Sequence, residues 1–244
     1  MEYTEIIMPD GEVIKDSETK YGDVERYWLA FREIVNIELF VQDNDSFHNA
    51  LMNKYKIDWR KLCAALDVGE DAQRAIDYWN TKIDDNIDFV HGENLFLYGL
   101  LNALYMQQEA VRELYHIVFD KTLDFKKDYP NTFKVRDIRD SVEHAPFYKN
   151  QRASIFISPT TVKKHSFDYL IFAKDKAKPQ IVHVSIKKCI LEQGNDIKKI
   201  VTIICKEICS MITTKYQKQQ LQSILSKYDI PKENSEFIMT SVNI

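Results

Sequence analysis

Residues 93–120 read ENLFLYGLLNALYMQQEAVRELYHIVFD, and this stretch decides the fold. Leu97, Leu100, Leu101, Leu104, Val111, Leu114 and Val118 recur at three and four residues, the spacing that lays one apolar stripe along an α-helix. Gln107 and Gln108 interrupt the stripe with amides.

Outward from it, the same period holds on both sides. Val24, Trp28, Phe31 and Val35 mark a helix from Asp23 to about Val41, and a second covers Phe47–Tyr55. Asp58 caps a short helix carrying Leu62, Cys63 and Leu66. Ala72, Ile76, Trp79, Ile83 and Ile87 mark another, ending before His91 and Gly92. After Asp128-Tyr129-Pro130 a helix runs from about Thr132 to His144 and stops before Pro146.

The pattern then switches to period two. Ala153–Ser158, Phe167–Ala173 and Gln180–Lys187 read as three strands, and their connections carry Pro159 and Lys174–Pro179, which suits an antiparallel meander. Ile197, Ile200, Val201, Ile204, Ile208, Met211 and Ile212 begin a long final helix reaching Leu225, and Tyr228–Ile244 reads as a tail. At the other end, Tyr3–Met8 and Glu12–Ile14 flank Pro9-Asp10-Gly11, a turn signal, and read as a small β-ribbon. The expected fold class is mainly α: an up-and-down helical bundle with a small antiparallel three-stranded β-meander and an N-terminal ribbon. It is read as one domain over 1–244, with the bundle in 23–150, the meander in 151–190 and the long C-terminal helix in 191–227.

Composition agrees. The 244 residues are 45% hydrophobic, 12% aromatic and 29% charged, an ordinary globular balance that excludes a disordered chain. Six Gly and six Pro are too few for a turn-rich β-sandwich or a glycine-cradled phosphate site. No apolar run reaches the roughly 18 residues of a membrane span. The acidic start, Met1 to Glu5, has no signal-peptide pattern, so a cytoplasmic protein with no membrane partner is expected. Four cysteines (63, 189, 205 and 209) make no disulfide framework, and Cys205 and Cys209 read as small apolar groups on one helix face.

The net charge of −4 hides an asymmetry. Residues 151–244 hold 15 Lys+Arg against 8 Asp+Glu, a balance of +7, while residues 1–150 hold 18 against 29, a balance of −11. A basic C-terminal part offers a surface to polyanions, or helps the two halves dock.

Glycine-rich phosphate motifs, nucleophile elbows and zinc-binding His pairs do not occur in the sequence, and it calls for no cofactor and no metal. The acidic pairs Glu70-Asp71 and Asp84-Asp85 read as polar helix faces turned to water. His48, His116, His165 and His183 read as surface or partner-satisfied histidines.

One segment differs. Val135-Arg136-Asp137-Ile138-Arg139-Asp140-Ser141-Val142-Glu143-His144-Ala145-Pro146 concentrates two Arg, two Asp, a Glu and a His around three apolar residues. Ion pairing alone accounts for much of it, because Arg136 to Asp140 and Arg139 to Glu143 are i,i+4 pairs, and His144 near a helix C-terminus suits the macrodipole. Arg139 and His144 lie five apart, about 140° around a helix, so they do not share a face. Asp140 and His144 do, which lets Asp140 orient the imidazole. A two-fold dimer would complete such a site with the same segment of a second chain.

Arg139-Asp140-Ser141-Val142-Glu143-His144, following the long helix with its Tyr98–Val111 stretch, resembles the R-x(4–6)-H signature of HEPN domains. The resemblance covers roughly residues 93–150. It implies a HEPN-like helical bundle and a metal-independent endoribonuclease working as a homodimer on RNA, often the toxin of a toxin–antitoxin or phage-defence system with an antitoxin protein as partner. In that reading His144 is the acid/base, Arg139 stabilises phosphate charge, Asp140 orients, and Arg136 is an accessory substrate contact. The residue types suit the chemistry: an imidazole titrates near neutrality and takes the 2′-OH proton, and a guanidinium presents a fixed fork of donors to the phosphate. Asp140 stands where many active members carry Asn. Many HEPN-like domains are non-catalytic dimerisation, regulatory or nucleotide-binding modules, and that alternative stays open.

Overall fold

The computed structural model describes residues 5–7, 13–15, 22–37, 52–54, 59–83, 94–143, 153–173, 176 and 178–242. In chain order they form β1 (Glu5–Ile7), β2 (Val13–Lys15), α1 (Glu25–Val35), α2 (Trp59–Lys82), α3 (Asn94–Phe119), α4 (Phe125–Asp128), α5 (Pro130–Glu143), β3 (Ala153–Ile157), β4 (Ser166–Ala173), β5 (Gln180–Ser185), α6 (Ile186–Cys209), α7 (Lys215–Lys227) and α8 (Lys232–Met239). The chain is mainly helical with a small three-stranded antiparallel sheet, β3–β4–β5, as the periodicities require. The N-terminal ribbon forms too: β1 pairs antiparallel with β2, separately from the meander. Among the described residues no helix is long and apolar enough to cross a membrane.

α3 spans two apolar clusters. Its C-terminal half buries Ala110, Val111, Leu114 and Val118 with α1, the start of α2, and α6 to α8. Its N-terminal half buries Leu97, Leu100, Leu101 and Leu104 with Ile76 and Trp79 of α2, Val135, Ile138 and Val142 of α5, and Ile155, Phe167, Tyr169 and Val184 of the sheet. α2 therefore runs antiparallel to α3.

The amides that interrupt the α3 stripe lie at the junction of these clusters, fully buried. Gln107 Nε2 donates to Gln73 Oε1 at 2.6 Å, and Gln193 Nε2 donates to Gln107 Oε1 at 2.9 Å and to the Leu104 carbonyl at 2.8 Å. Gln108 Nε2 donates to Gln193 Oε1 at 2.8 Å and to the Thr132 carbonyl at 3.0 Å. An unpaired amide here would cost about 1–3 kcal/mol, so the mutual pairing of α2, α3, α5 and α6 fixes how the four helices meet.

Several boundaries differ from the sequence reading, each for a local reason. The two helices expected across 58–87 are one through Lys82, and it passes through Gly69 at a packing contact: a Cβ there would stand 2.8 Å from Trp28 Cζ2. α1 stops at Val35, where Asn36 turns the chain: its N–H reaches the Glu33 carbonyl and the Ile37 N–H reaches that of Ile34. The third strand ends at Ser185, whose hydroxyl accepts from the Lys188 N–H and starts α6 at Ile186, eleven residues before the pattern at Ile197. The long final helix is two, because Thr214 and Gln217 form a capping box that opens α7. The supposed tail carries α8, and Ile230 and Ile238 are buried in the larger cluster. Glu70, expected in water, is buried and pairs with Arg32 and Arg74. Of the expected helix over Phe47–Tyr55, only 52–54 is described, and it is helical; Asp84, Asp85 and His48 lie outside the described residues.

Candidate functional site

α5 opens with Pro130 at its first position, where the missing N–H would be unbonded in any case. Its apolar residues Val135, Ile138 and Val142 go into the cluster under the sheet. The helical period then turns Arg136, Arg139 and Asp140 together along a neighbouring side. On α3, Tyr105, Glu109 and Arg112 lie at i, i+4 and i+7 and present a matching polar stripe.

The two stripes meet. Arg136 and Arg139 both lie against the Tyr105 ring, their guanidinium carbons 4.8 and 4.4 Å from its centroid, a cation–π arrangement. Arg136 pairs with Glu109 and not, as the i,i+4 spacing suggested, with Asp140. Arg112 pairs with the same carboxylate. Arg139 donates to Asp140 Oδ1 at 2.9 Å. The arginine side chains are only 18% and 17% exposed at positions 136 and 139, whereas Asp140 is 39% exposed, so the guanidinium pair lies below a rim that the carboxylate reaches.

Beside this stripe is a cleft of about 410 Å³ lined in part by Arg112, Lys126, Arg136, Thr122 and Asp124. The Asp124 carboxylate is occupied at the start of α4, where it accepts from the Lys127 N–H at 3.1 Å. Three cations therefore border the cleft while Glu109 is shared between two of them, an arrangement suited to an anion the size of a phosphate.

Of the residues singled out by sequence, Arg136, Arg139 and Asp140 are brought together, and His144 lies outside the described residues, one position beyond the end of α5 at Glu143. Tyr105, Glu109, Arg112 and Lys126 were not singled out. The spacing of Tyr105, Glu109 and Arg112 was visible on α3, but only their contact with α5 gives it meaning. Cys205 and Cys209 face the core as expected; burial pushes both thiols up, so neither is an ionised nucleophile near neutrality. No family model, no curated protein and no solved structure matches the chain.

Proposed function

We infer that the chain is a metal-independent endoribonuclease of the HEPN type, with its site on the α5 segment. The observation that carries this reading is the gathering of Arg136 and Arg139 on Tyr105 beside a cleft bordered by Arg112 and Lys126. The sequence has no glycine loop to cradle a phosphate, so phosphate must be held by side chains, and here Arg112, Lys126 and Arg136 line one cavity of the right size. RNA phosphate competes with Asp140 for Arg139 and with Glu109 for Arg136 and Arg112; charge growing on the phosphate in the transition state then meets donors already in place. His144 takes the 2′-OH proton and later returns one to the leaving 5′-oxygen, with Asp140 orienting its ring. A homodimer brings two such segments to one groove, and an antitoxin protein would act by covering it.

A second reading, a non-catalytic helical module for dimerisation or regulation, is favoured by the ion pairs themselves: Arg136 is held by Glu109 and Arg139 by Asp140. Incubating the purified protein with single-stranded RNA in EDTA separates the two. The nuclease reading expects cleavage that His144→Ala slows by about 10²–10⁴-fold. Undiminished cleavage by that variant rejects the assignment. No cleavage by the parent protein, with Arg139→Ala losing stability or dimerisation, gives the second reading.

A further inference from the structure

The outer face of β3–β4–β5 carries an apolar patch beside Ser154, Asp168 and His183, where a solvent-facing sheet is ordinarily polar throughout. Strand alternation sends Ile155, Phe167, Tyr169 and Val184 into the core. The same alternation sends Phe156, Leu170 and Ile181 outward in one row of the register, with Phe172 one step diagonal to Phe156. Phe156 is 52% exposed, Phe172 46% and Ile181 66%. The two phenyl rings meet edge to face, with centroids 5.8 Å apart, so each restrains the other. Among the described residues one acid, Asp168, reaches this face, and His183 Nδ1 lies 2.7 Å from its Oδ1.

The charge of the sheet segment is mainly positive. Residues 151–188 hold eight Lys+Arg against two Asp+Glu, so six of the seven surplus positive charges of the C-terminal part fall on the sheet segment. Lys163 in the β3–β4 connection and Lys187 just after β5 stand at one end of the sheet; Lys176 and Lys178, in the β4–β5 connection, stand at the other. All four are exposed, and none has an acidic partner among the described residues.

Exposed aromatic rings on an antiparallel sheet, with unpaired lysines at both ends, are the parts of a single-stranded nucleic-acid platform: bases stack on the rings while cations follow the phosphates. We propose that this face binds single-stranded RNA, with bases on Phe156 and Phe172 and the backbone running between the lysines at the two ends. A second copy of the chain fits less well, because it would bring like-charged ends together. A membrane surface fits less well too, since the rings belong to paired strands and do not project from a loop tip. The inference stands on the sheet alone and holds or fails independently of the chemistry assigned to α5.

The test is fluorescence anisotropy of a labelled oligouridine of about twelve nucleotides, titrated with the full chain carrying His144→Ala so that no cleavage intrudes. Phe156→Ala and Phe172→Ala should each weaken binding at least about fivefold. Phe172→Leu should weaken it as much as Phe172→Ala, and Phe172→Tyr should retain it, because stacking and not apolar area is at work. Lys176→Gln with Lys178→Gln should flatten the dependence of log affinity on log salt by about 1.4. The proposal is overturned by unchanged affinity in the Phe156→Ala/Phe172→Ala double variant, by full binding in Phe172→Leu, or by no RNA binding in the parent chain. It is equally overturned if the double variant loses binding to phosphatidylserine vesicles, or self-association, while keeping its RNA.

Discussion

Asp77 terminates the buried amide chain: Gln73 Nε2 donates to its Oδ1 at 3.0 Å, while Gln73 itself accepts from Gln107. Burial raises the Asp77 carboxyl above its ordinary 3.8, and the charge of Glu25 adds to the effect, against the pull of the Gln73 amide. The folded chain therefore holds this proton to higher pH than the unfolded chain does. The contribution of Asp77 is fully favourable below pH 3.8 and is lost as pH rises through the raised value. Asp77→Asn keeps the acceptor without the charge, so it should raise the melting temperature at pH 7 and leave it nearly unchanged at pH 4. An equal shift at both pH values would contradict the assignment. At this scale the sequence was only partly legible. Gln107 and Gln108 stood out as an interruption, but their partners lie 34 and 85 to 86 positions away in Gln73 and Gln193, and no local pattern announces a contact across that distance. Arg139 was visible from its neighbours in the chain, and Tyr105, against which it lies, was not.

Elements were legible where their signal is periodic, and misjudged where a single residue has two meanings. The periods around Leu62–Leu66 and Ala72–Ile83 read as two helices, yet α2 runs on through Gly69, and there Trp28 occupies the space a side chain would need. Gly69→Ala sets the overpacking cost of about 1–3 kcal/mol against the roughly 1 kcal/mol that alanine gains over glycine in a helix. Since Trp28 is fully buried, the overpacking cost outweighs the gain and the variant should melt several degrees lower. Gly99→Ala, with nothing within 4 Å of the added carbon, should melt higher. Thermal melts of the two variants check the argument, and a higher melting temperature for Gly69→Ala would show that Trp28 yields. The opposite error occurred near the C-terminus, where Thr214 and Gln217 sit inside an apolar period and yet close a capping box that restarts the helix. In the sheet, the strand Phe167–Ala173 is apolar on both faces, so its sequence does not tell which rings are buried and which face water.

Over the whole molecule, the charge asymmetry was plain in the sequence, but its location sharpened only once the meander was seen as a sheet with lysines at its two ends. The helical body joins two apolar clusters across the amide layer, and the α3–α5 contact that gathers the arginines lies along the helix common to both. That contact gathers the guanidinium groups proposed to meet the RNA phosphate. Attack by the ribose 2′-OH under an imidazole base leaves a 2′,3′-cyclic phosphate on one product and a 5′-OH on the other, without any metal. End-group analysis of RNA cleaved in EDTA by the parent protein and by His144→Ala tests this most directly. The account predicts 2′,3′-cyclic phosphate and 5′-OH ends from the parent, none from a substrate whose 2′-OH is replaced by hydrogen at the cleaved position, and a rate about 10²–10⁴-fold lower in the variant. Products ending in 3′-OH and 5′-phosphate, or cleavage untouched by His144→Ala, would contradict it.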